Sequence, residues 1–310
     1  MKSKTTLKAI LIGFFCLLDI PVNSLAEMDD DLIAYWSFDD CTAKDVSNNG
    51  NNGTIKNNVT CKDSKRTNSK SLFLKGNPST FSSNGGHVLL PAMDFMSMPN
   101  YSVCLWVNEI KMEHFHGESY IAFGHYNSGM LTISHWYNEQ LDKEQLIFAS
   151  GLSDKSPGLV VPFRPKDTKR FVHYCLVYDN GIVKGYRNRE FLGSVKQNTR
   201  IGTNDAALGR HWWYYFGEQT STRFTGFIDD VRIYQHSLSE SEIYLLSNRM
   251  TLLQGGIQSM MEHTVTCTNN TTGQTITIAD ILWPHYNCEV EGLLVKPGHN
   301  VTITINGVVQ

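Results

Sequence analysis

The clearest alternation of apolar and polar residues in the chain covers residues 226–234, with the sequence GFIDDVRIY. Successive side chains of a β-strand point to opposite faces, so a period of two predicts a strand here. We expect the more apolar face to line a core, and that face carries Phe227, Asp229, Val231 and Ile233. Asp229 would then be buried, where a carboxylate requires hydrogen-bond donors, a charged partner or a bound cation.

Short segments of the same kind continue between residues 70 and 240, with little helical periodicity. The turn Asp179-Asn180-Gly181 is a strong hairpin signal. Ser239 and Glu242 form a capping box, which predicts a helix from about 240 to 247. The other predicted strands are 71–74, 87–90, 120–123, 131–134, 145–149 and 182–186. Short strands separated by turn residues predict an all-β sandwich.

The last segment, residues 263–310, predicts a second and smaller all-β unit. Gly255-Gly256, set among methionines, marks residues 249–262 as a linker before it. A unit of about fifty residues has a marginal core, so we expect a disulfide to support it. Its predicted strands, which alternate or are β-branched, are 263–268, 275–278 and 301–305.

Composition indicates a globular protein with one large and one small domain. The chain has 310 residues, of which 41% are hydrophobic and 18% are charged. Its formal net charge is −3 and it has no basic stripe, which argues against nucleic acid as a partner.

Residues 1–26 have the pattern of a secretory signal peptide. Three lysines precede the apolar run Ala9–Leu18, and Ser24-Leu25-Ala26 is a small-residue cleavage site. The apolar run is too short to span a membrane, and no later stretch is long enough. We therefore expect a secreted or periplasmic protein that does not span a membrane; an uncleaved membrane tether is the alternative.

Five short segments between residues 27 and 248 carry further information. They are 32–39 (LIAYWSFD), 45–53 (DVSNNGNNG), 101–107 (YSVCLWV), 172–179 (VHYCLVYD) and 224–243 (FTGFIDDVRIYQHSLSESEI). In this order they resemble the motifs of LamG-like jelly-roll domains in the concanavalin A-like lectin/glucanase superfamily. Asn48 replaces a glycine of the second motif, and Phe171 replaces a tryptophan before the fourth. The resemblance implies a two-sheet antiparallel jelly-roll sandwich and leaves the ligand open, because this fold carries many functions.

Apart from Cys16 in the signal peptide, the chain has six cysteines, which suits disulfides in an oxidising compartment. Six cysteines allow fifteen pairings. Two bracket the Asn/Gly-rich loop, two lie mid-strand in motifs of the same sandwich, and two lie in the C-terminal unit. This order favours the pairs Cys41–Cys61, Cys104–Cys175 and Cys267–Cys288. Zinc is the alternative, but the cysteines include no C-x-x-C pair.

The resemblance also implies a structural calcium ion. In related glucanases of this fold, calcium lies where the aspartate of the last strand meets the N-terminal loop. Asp229 matches that aspartate, Gly50 and Asn51 would supply carbonyl oxygens, and Asp39 and Asp45 are additional candidate ligands. Such oxygen atoms are the ligands that calcium prefers. The alternative is that Asp229 accepts hydrogen bonds from the loop backbone without a metal.

Aromatic residues form two clusters that are candidates for ligand binding. The first, at 210–216, contains the predicted ligand-binding residues His211, Trp212, Trp213 and Tyr214. In this fold such loops rim the concave face, and large aromatic side chains there stack on sugar rings or anchor a partner. The second cluster is His135-Trp136-Tyr137. The alternative is that these rings fill the core and its rim.

Signatures of a zinc site and of a glycosidase are both incomplete. His114 and His116 share a predicted strand face, but a third zinc ligand is not evident. Hydrolases of this fold carry their carboxylates as E-x-D-x-E or a near variant, and no such triplet occurs. The run 139–144 places its carboxylates on opposite strand faces, and Glu109 with Glu113 is a looser pair. We therefore expect no enzyme activity.

These patterns together predict a secreted, non-catalytic LamG-like protein that binds a glycan or a glycoprotein. One alternative is a structural or adhesive module of a cell envelope, whose β-units contact other proteins. A second alternative is a polysaccharide-cleaving enzyme of the same fold.

Overall fold

The structure, a computed structural model, describes most of the chain from residue 31 onward. The described residues are 31–64, 70–77, 84–111, 117–153, 155–202, 205–214, 218–221, 224–247, 254–256, 263–281, 285–287, 301–305 and 308–309. The predicted signal peptide therefore lies outside them. So do Glu113, His114, His116 and Cys288.

The described secondary structure is almost entirely β. The strands, numbered along the chain, are β1 (Leu32–Trp36), β2 (Thr54–Lys56), β3 (Val59–Asp63), β4 (Lys70–Leu74), β5 (His87–Leu89), β6 (Asn100–Lys111), β7 (Glu118–His125), β8 (Gly129–Asn138), β9 (Lys143–Leu152), β10 (Leu159–Pro162), β11 (Val172–Asp179), β12 (Ile182–Arg187), β13 (Glu190–Lys196), β14 (Ala206–Leu208), β15 (His211–Tyr214), β16 (Glu218–Ser221), β17 (Thr225–Tyr234), β18 (Gln254–Gly256), β19 (His263–Asn269), β20 (Gln274–Ile281), β21 (His285–Asn287), β22 (Val301–Ile305) and β23 (Val308–Val309). Helix α1 spans Glu240–Ser247, and short 3-10 turns cover Phe95–Ser97, Tyr126–Ser128 and Pro165–Asp167.

Two large antiparallel sheets form the main body. Sheet A has the strand order β13-β12-β11-β6-β17-β4-β3, with β1 also paired to β17. Sheet B has the order β10-β9-β8-β7-β14-β5-β2. Neighbouring strands such as β6 and β17 are far apart in sequence, as the crossing connections of a jelly roll require. The predicted all-β, two-sheet antiparallel sandwich is confirmed.

Aromatic side chains fill much of the space between the two sheets. Tyr120 of sheet B stacks on Tyr174 of sheet A, with ring centroids 5.6 Å apart. Phe95 contacts Phe123 edge-on at 4.8 Å. Full burial of one phenylalanine side chain contributes roughly 1.5–3 kcal/mol. This core holds the faces and rims of the sandwich in fixed positions.

Helix α1 packs on the outer face of sheet A, where Ile243 and Leu246 share a buried cluster with Cys104 and Cys175. The predicted capping box is confirmed. The Ser239 backbone N–H donates to Glu242 Oε2 at 2.7 Å, and the Glu242 N–H donates to Ser239 Oγ at 3.3 Å. No helix in the described part of the chain is long and apolar enough to cross a membrane.

The strands predicted from alternation are all present, and several extend beyond the predicted bounds. The strand predicted at 131–134, for example, is Gly129–Asn138. Asn180 and Gly181 have φ values of 45° and 87°, as the predicted tight hairpin turn requires.

The C-terminal part contains a four-stranded sheet with the order β20-β19-β22-β23. Of the predicted linker, residues 249–262, the structure describes residues 254–256. Residues 254–256 form strand β18, which pairs with β21. Glycine adopts extended as readily as turn conformations, so Gly255-Gly256 did not distinguish a linker from a strand.

Two of the three predicted disulfides are confirmed within the described residues. Cys41 pairs with Cys61, and Cys104 pairs with Cys175 across β6 and β11, with Cα atoms 5.3 Å and 4.1 Å apart respectively. Cys267 is also disulfide-bonded. Its predicted partner, Cys288, lies beyond the described residues, so that pairing stays a prediction.

Strand β17 differs from its predicted pattern at Asp229. Its core positions are Ile228, Val231 and Ile233, whereas Phe227 is only partly buried. A β-bulge interrupts the register with β6 just after Asp229. Because a bulge adds one residue to one strand, it changes which residues face inward.

The predicted core-facing position of Phe227 and Asp229 is therefore wrong. Asp229 lies opposite Trp106, whose neighbour Val107 faces the core, so Asp229 and Trp106 share the outer face of sheet A. Asp229 is nevertheless fully buried, as predicted.

Candidate functional site

One buried carboxylate, that of Asp45, organises the N-terminal loop. Its Oδ1 accepts hydrogen bonds from the backbone N–H of Tyr35 at 3.0 Å and from the N–H and hydroxyl of Ser47 at 2.9 and 2.6 Å. Its Oδ2 accepts the N–H of Asn51 at 2.9 Å. Burial alone would raise the pKa of Asp45, but these hydrogen bonds outweigh it and lower the pKa. Protein donors therefore satisfy this carboxylate.

The two residues predicted to offer carbonyl oxygens to calcium shape the same loop. The carbonyl oxygen of Asn51 accepts the indole N–H of Trp36 at 2.8 Å. The Asn51 side chain donates to the carbonyl oxygen of Ile33, also at 2.8 Å. Gly50 has a φ of 80°, which glycine adopts without strain. Asn51 thus fastens the loop to β1, and Gly50 allows the chain to turn.

The two remaining predicted calcium ligands lie in different surroundings. Asp229 is buried where β17 exchanges its neighbour β4 for β1, and its Oδ1 accepts the N–H of Asp230 at 2.9 Å. Asp39 is exposed and accepts the N–H of Lys70 at 3.2 Å.

The predicted calcium site stays a prediction, and protein donors already contact several of its oxygen atoms. Calcium takes about six to eight oxygen ligands that converge on one point. The carboxylates of Asp45 and Asp39 and the carbonyl of Asn51 are already engaged by N–H or O–H donors. These contacts favour the alternative in which hydrogen bonds, without a metal, hold the loop. Calcium enters no step of the function proposed below.

Asp230 has a role that the alternation did not reveal. Its Oδ1 accepts the hydroxyl of Tyr35 at 2.6 Å, and Arg232 lies 3.5 Å from the same oxygen. The Arg232 guanidinium also stacks over the Tyr35 ring at 3.8 Å. Burial alone would lower the pKa of Arg232, but the Asp230 carboxylate together with Tyr35, Tyr234 and Asp229 outweighs it and raises the pKa. This cluster joins β17 to β1 and is structural.

The outer face of sheet B combines a floor of small residues with aromatic rings above it. The buried floor includes Ala122, Ala149 and Ala207. Tyr126 and Trp136, both half-buried, pack against this floor and stack with centroids 5.4 Å apart. Gly117 is required beneath Trp136, because a Cβ there would lie 2.1 Å from the indole nitrogen. Small residues thus allow the rings to lie close to the sheet.

Strand β15 brings the other predicted aromatic cluster to this region. His211, Trp212, Trp213 and Tyr214 form β15, which pairs with β16. The strand lies beside β7 and the turn Tyr126–Ser128. Only its backbone belongs to the described structure. We call Tyr126, Trp136 and strand β15 the aromatic face.

The sequence analysis identified Trp136 and β15 separately, but it missed Tyr126. A single tyrosine in the connection between β7 and β8 has no pattern that would mark it. Its importance arises from stacking on a residue in the following strand, which sequence spacing alone does not indicate.

Glu109, one of the carboxylates considered for catalysis, is enclosed between the sheets. It is 2% exposed, accepts the Tyr120 hydroxyl at 2.7 Å and lies 2.9 Å from His135 Nδ1. Burial, followed by the nearby Glu109 carboxylate, raises the pKa of Tyr120 well above its usual value. Tyr120 therefore stays protonated and donates to Glu109. This carboxylate connects sheet A to sheet B.

The other acidic candidates lie at the β8–β9 hairpin. Glu139 and Asp142 are exposed in its turn, where Asp142 accepts the hydroxyl of Tyr137. Glu144 Oε2 lies 4.0 Å from His135 Nε2, on the other side of that imidazole from Glu109. His135 thus separates Glu144 from the enclosed carboxylate.

Comparison with protein families supports the fold by an independent route. The sequence profile of the concanavalin A-like lectin/glucanases superfamily matches residues 82–244, which is more than half of the chain. A comparison with curated protein sequences finds no match.

Solved structures with the same fold include several binding domains. Domain 4 of AbnA, a GH43 extracellular arabinanase from Geobacillus stearothermophilus, in complex with arabinotriose, is 26% identical at a TM-score of 0.50. That match covers 70% of this chain and 98% of the domain. Botulinum neurotoxin type C, whose cell entry depends on two ganglioside molecules, is 13% identical at a TM-score of 0.55, covering 92% and 73%. The botulinum neurotoxin DC binding domain in complex with SialylT is 12% identical at 0.56, covering 89% and 71%. The two toxin matches establish similarity of fold alone.

Proposed function

Because the chain belongs to the concanavalin A-like lectin/glucanase superfamily, we propose that it is a non-catalytic protein that binds a glycan, free or on a glycoprotein, at the aromatic face. The observation that carries the proposal is that strand β15, whose sequence holds the second aromatic cluster, runs beside β7 and the turn that contains Tyr126. Tyr126 is stacked with Trp136.

An aromatic face suits carbohydrates for a physical reason. The C–H groups on one side of a sugar ring form an apolar patch that packs against an aromatic ring. The sugar hydroxyls then remain at the edge, where polar groups or water bind them. Tyr and Trp also offer a polar atom at the rim of a large apolar surface.

The match to the arabinanase domain supports an oligosaccharide as the ligand class. That domain was solved with arabinotriose, and nearly its whole length matches this chain. Its identity to this chain is higher than that of the two toxin domains.

The arrangement of acidic residues supports a non-catalytic role. A glycosidase requires two carboxylates about 5–9.5 Å apart on either side of the scissile bond. Glu109 is closed off from solvent by Tyr120 and His135, so it is unable to reach a substrate. Glu139 and Asp142 are exposed in a turn, and His135 lies between half-buried Glu144 and Glu109.

The proposed setting is outside the cytoplasm, by way of the predicted signal peptide. Two disulfides within the sandwich suit an oxidising compartment. The arabinanase with the matching domain is itself extracellular.

A glycan array probed with the chain from residue 27 onward tests the proposal, with Trp136→Ala, Trp212→Ala and Trp213→Ala as variants. We expect binding to at least one glycan and a loss of about tenfold or more for at least one variant, because central aromatic anchors dominate binding energy. Phe191→Ala is the matched control, since this exposed aromatic residue lies on β13 of sheet A.

Circular dichroism of each variant separates lost binding from lost folding. Absence of binding to every glycan would overturn the proposed function and favour the structural envelope alternative. If all three tryptophan variants retain binding, the ligand binds somewhere other than the aromatic face.

A further inference from the structure

A groove separate from the aromatic face lies beside the start of β6. It has a volume of about 500 Å³ and is bounded by residues 96–99, by Tyr178, Asn180 and Gly181 at the β11–β12 turn, and by residues 198–199 after β13. None of its nine lining residues has a charged side chain at neutral pH. We call it the neutral groove.

The floor of the neutral groove is held by buried aromatic and hydroxyl groups. Tyr178 stacks on Tyr101 with centroids 4.8 Å apart and planes inclined by 17°. The Thr199 hydroxyl lies 3.0 Å from Tyr101 Oη and 2.8 Å from Ser150 Oγ. The Thr199 backbone N–H donates to Tyr178 Oη at 3.3 Å. Tyr178 and Thr199 are thus held in place by Tyr101 of β6 and Ser150 of β9.

The walls of the groove are fixed as firmly as its floor. The Asn180 N–H donates to the Pro99 carbonyl oxygen at 3.1 Å and to Asn100 Oδ1 at 3.2 Å. The Gln197 N–H donates to the Gly181 carbonyl oxygen at 2.9 Å. These bonds join the three lining segments to one another. A surface ordered in advance loses less conformational entropy when a ligand binds.

The exposed groups around the groove combine amide and apolar chemistry. Asn198 is exposed, and its amide offers both hydrogen-bond donors and an acceptor. Met96 is 61% exposed, which is unusual for so apolar a side chain. Beside the lining residues, the Asp179 carboxylate pairs with Lys184 Nζ at 2.9 Å, and Asp94 Oδ1 accepts the Ser97 N–H at 3.3 Å. The lining therefore combines uncharged polar groups with the exposed apolar side chain of Met96, which we call the apolar ridge.

We propose that the neutral groove is a binding site for a short, uncharged oligosaccharide. This inference rests on the proposed function and adds a site and a ligand class to it. Hydroxyls of a neutral sugar match the amides and hydroxyls of the lining, and a sugar C–H face matches Met96. An acidic sugar would lose water around its carboxylate without gaining a cationic partner. The groove volume lies within the range of about 300–1,000 Å³ for small-ligand sites.

Titration calorimetry of the chain from residue 27 onward tests this site with four probes. Arabinotriose, cellotriose and maltotriose are neutral, and trigalacturonic acid is an acidic sugar of equal length. Asn198→Asp places a negative charge in the groove, and Met96→Ala removes the apolar ridge. Asn58→Asp and Leu141→Ala are the matched controls, because both residues are exposed and lie outside the groove.

We expect at least one neutral trisaccharide to bind and trigalacturonic acid not to bind. Asn198→Asp and Met96→Ala should each weaken that binding at least tenfold, while both control variants bind like the unmodified chain. Neutral binding that Trp213→Ala abolishes but both groove variants retain would overturn the groove site and leave the proposed function standing. Preference for the acidic probe would overturn the ligand class. If no glycan binds in the calorimeter or on the array, both proposals are overturned.

Discussion

At the scale of single residues, Asp45 shows how one sequence pattern fits two physical solutions. A loop rich in Asp, Asn and Gly supplies oxygen atoms that bind either a cation or N–H groups. In the structure the donors are backbone and hydroxyl groups of Tyr35, Ser47 and Asn51. The sequence therefore identified the loop and its acidic residue, but the choice between metal and hydrogen bonds depends on backbone orientation.

We predict that Asp45→Ala lowers the free energy of unfolding by about 2–4 kcal/mol. The substitution leaves buried N–H groups without acceptors, and each such group costs about 1–3 kcal/mol. Urea denaturation followed by tryptophan fluorescence at pH 7 measures the loss. It should be equal in chelator and in millimolar calcium, because the lost partners are protein groups. Asp40→Ala is the control: its carboxylate is exposed and accepts the N–H and hydroxyl of Thr42, so we expect a loss below about 1 kcal/mol.

The pH dependence of that difference follows from the lowered pKa of Asp45. A carboxyl group with a folded pKa below its ordinary value of 3.8 stabilises the protein above that value. The contribution disappears as the pH falls through the folded pKa. The difference between the unmodified chain and Asp45→Ala should be constant from about pH 7 to 5 and shrink below about pH 4. A calcium-dependent difference would instead restore the predicted metal site.

At the scale of elements, β17 shows the limit of periodicity. The apolar alternation predicts that the strand exists and where it ends. It does not predict the bulge after Asp229, because Asp229 and Asp230 are as compatible with a regular strand as with a bulged one. The bulge coincides with the exchange of β4 for β1 as the neighbour of β17. A change of neighbour between segments about forty residues apart has no local signal. The inward face was therefore misassigned in its first half.

The corrected register makes opposite predictions for two adjacent residues. Ile228→Gln should prevent folding or cost more than about 3 kcal/mol, because it buries an amide in the core. Phe227→Gln should be tolerated with a smaller loss, because that side chain lies on the outer face and is partly exposed. Thermal unfolding of both variants shows which of them loses more stability. The reverse order would support the regular alternation expected from sequence.

At the scale of the whole molecule, the fold class was predictable and the arrangement of sites was not. Alternation, turn residues and five ordered motifs predicted the sandwich, and cysteine order predicted both described disulfides. The aromatic face and the neutral groove each combine segments that are distant in sequence. The residues of each site come together only in the folded chain, which places Tyr126 near β15 and Met96 near Asn198. Pairing of β18 with β21 was missed for the same reason.

The most direct test of the central claim is a calorimetric titration of the chain from residue 27 onward with the strongest glycan of the array. Non-catalytic binding predicts heats that saturate, with a return to the original baseline after each injection. A baseline displaced in proportion to the added glycan would reveal continuous turnover and contradict the non-catalytic role. The absence of any heat, with binding also absent from the array, would contradict carbohydrate recognition itself.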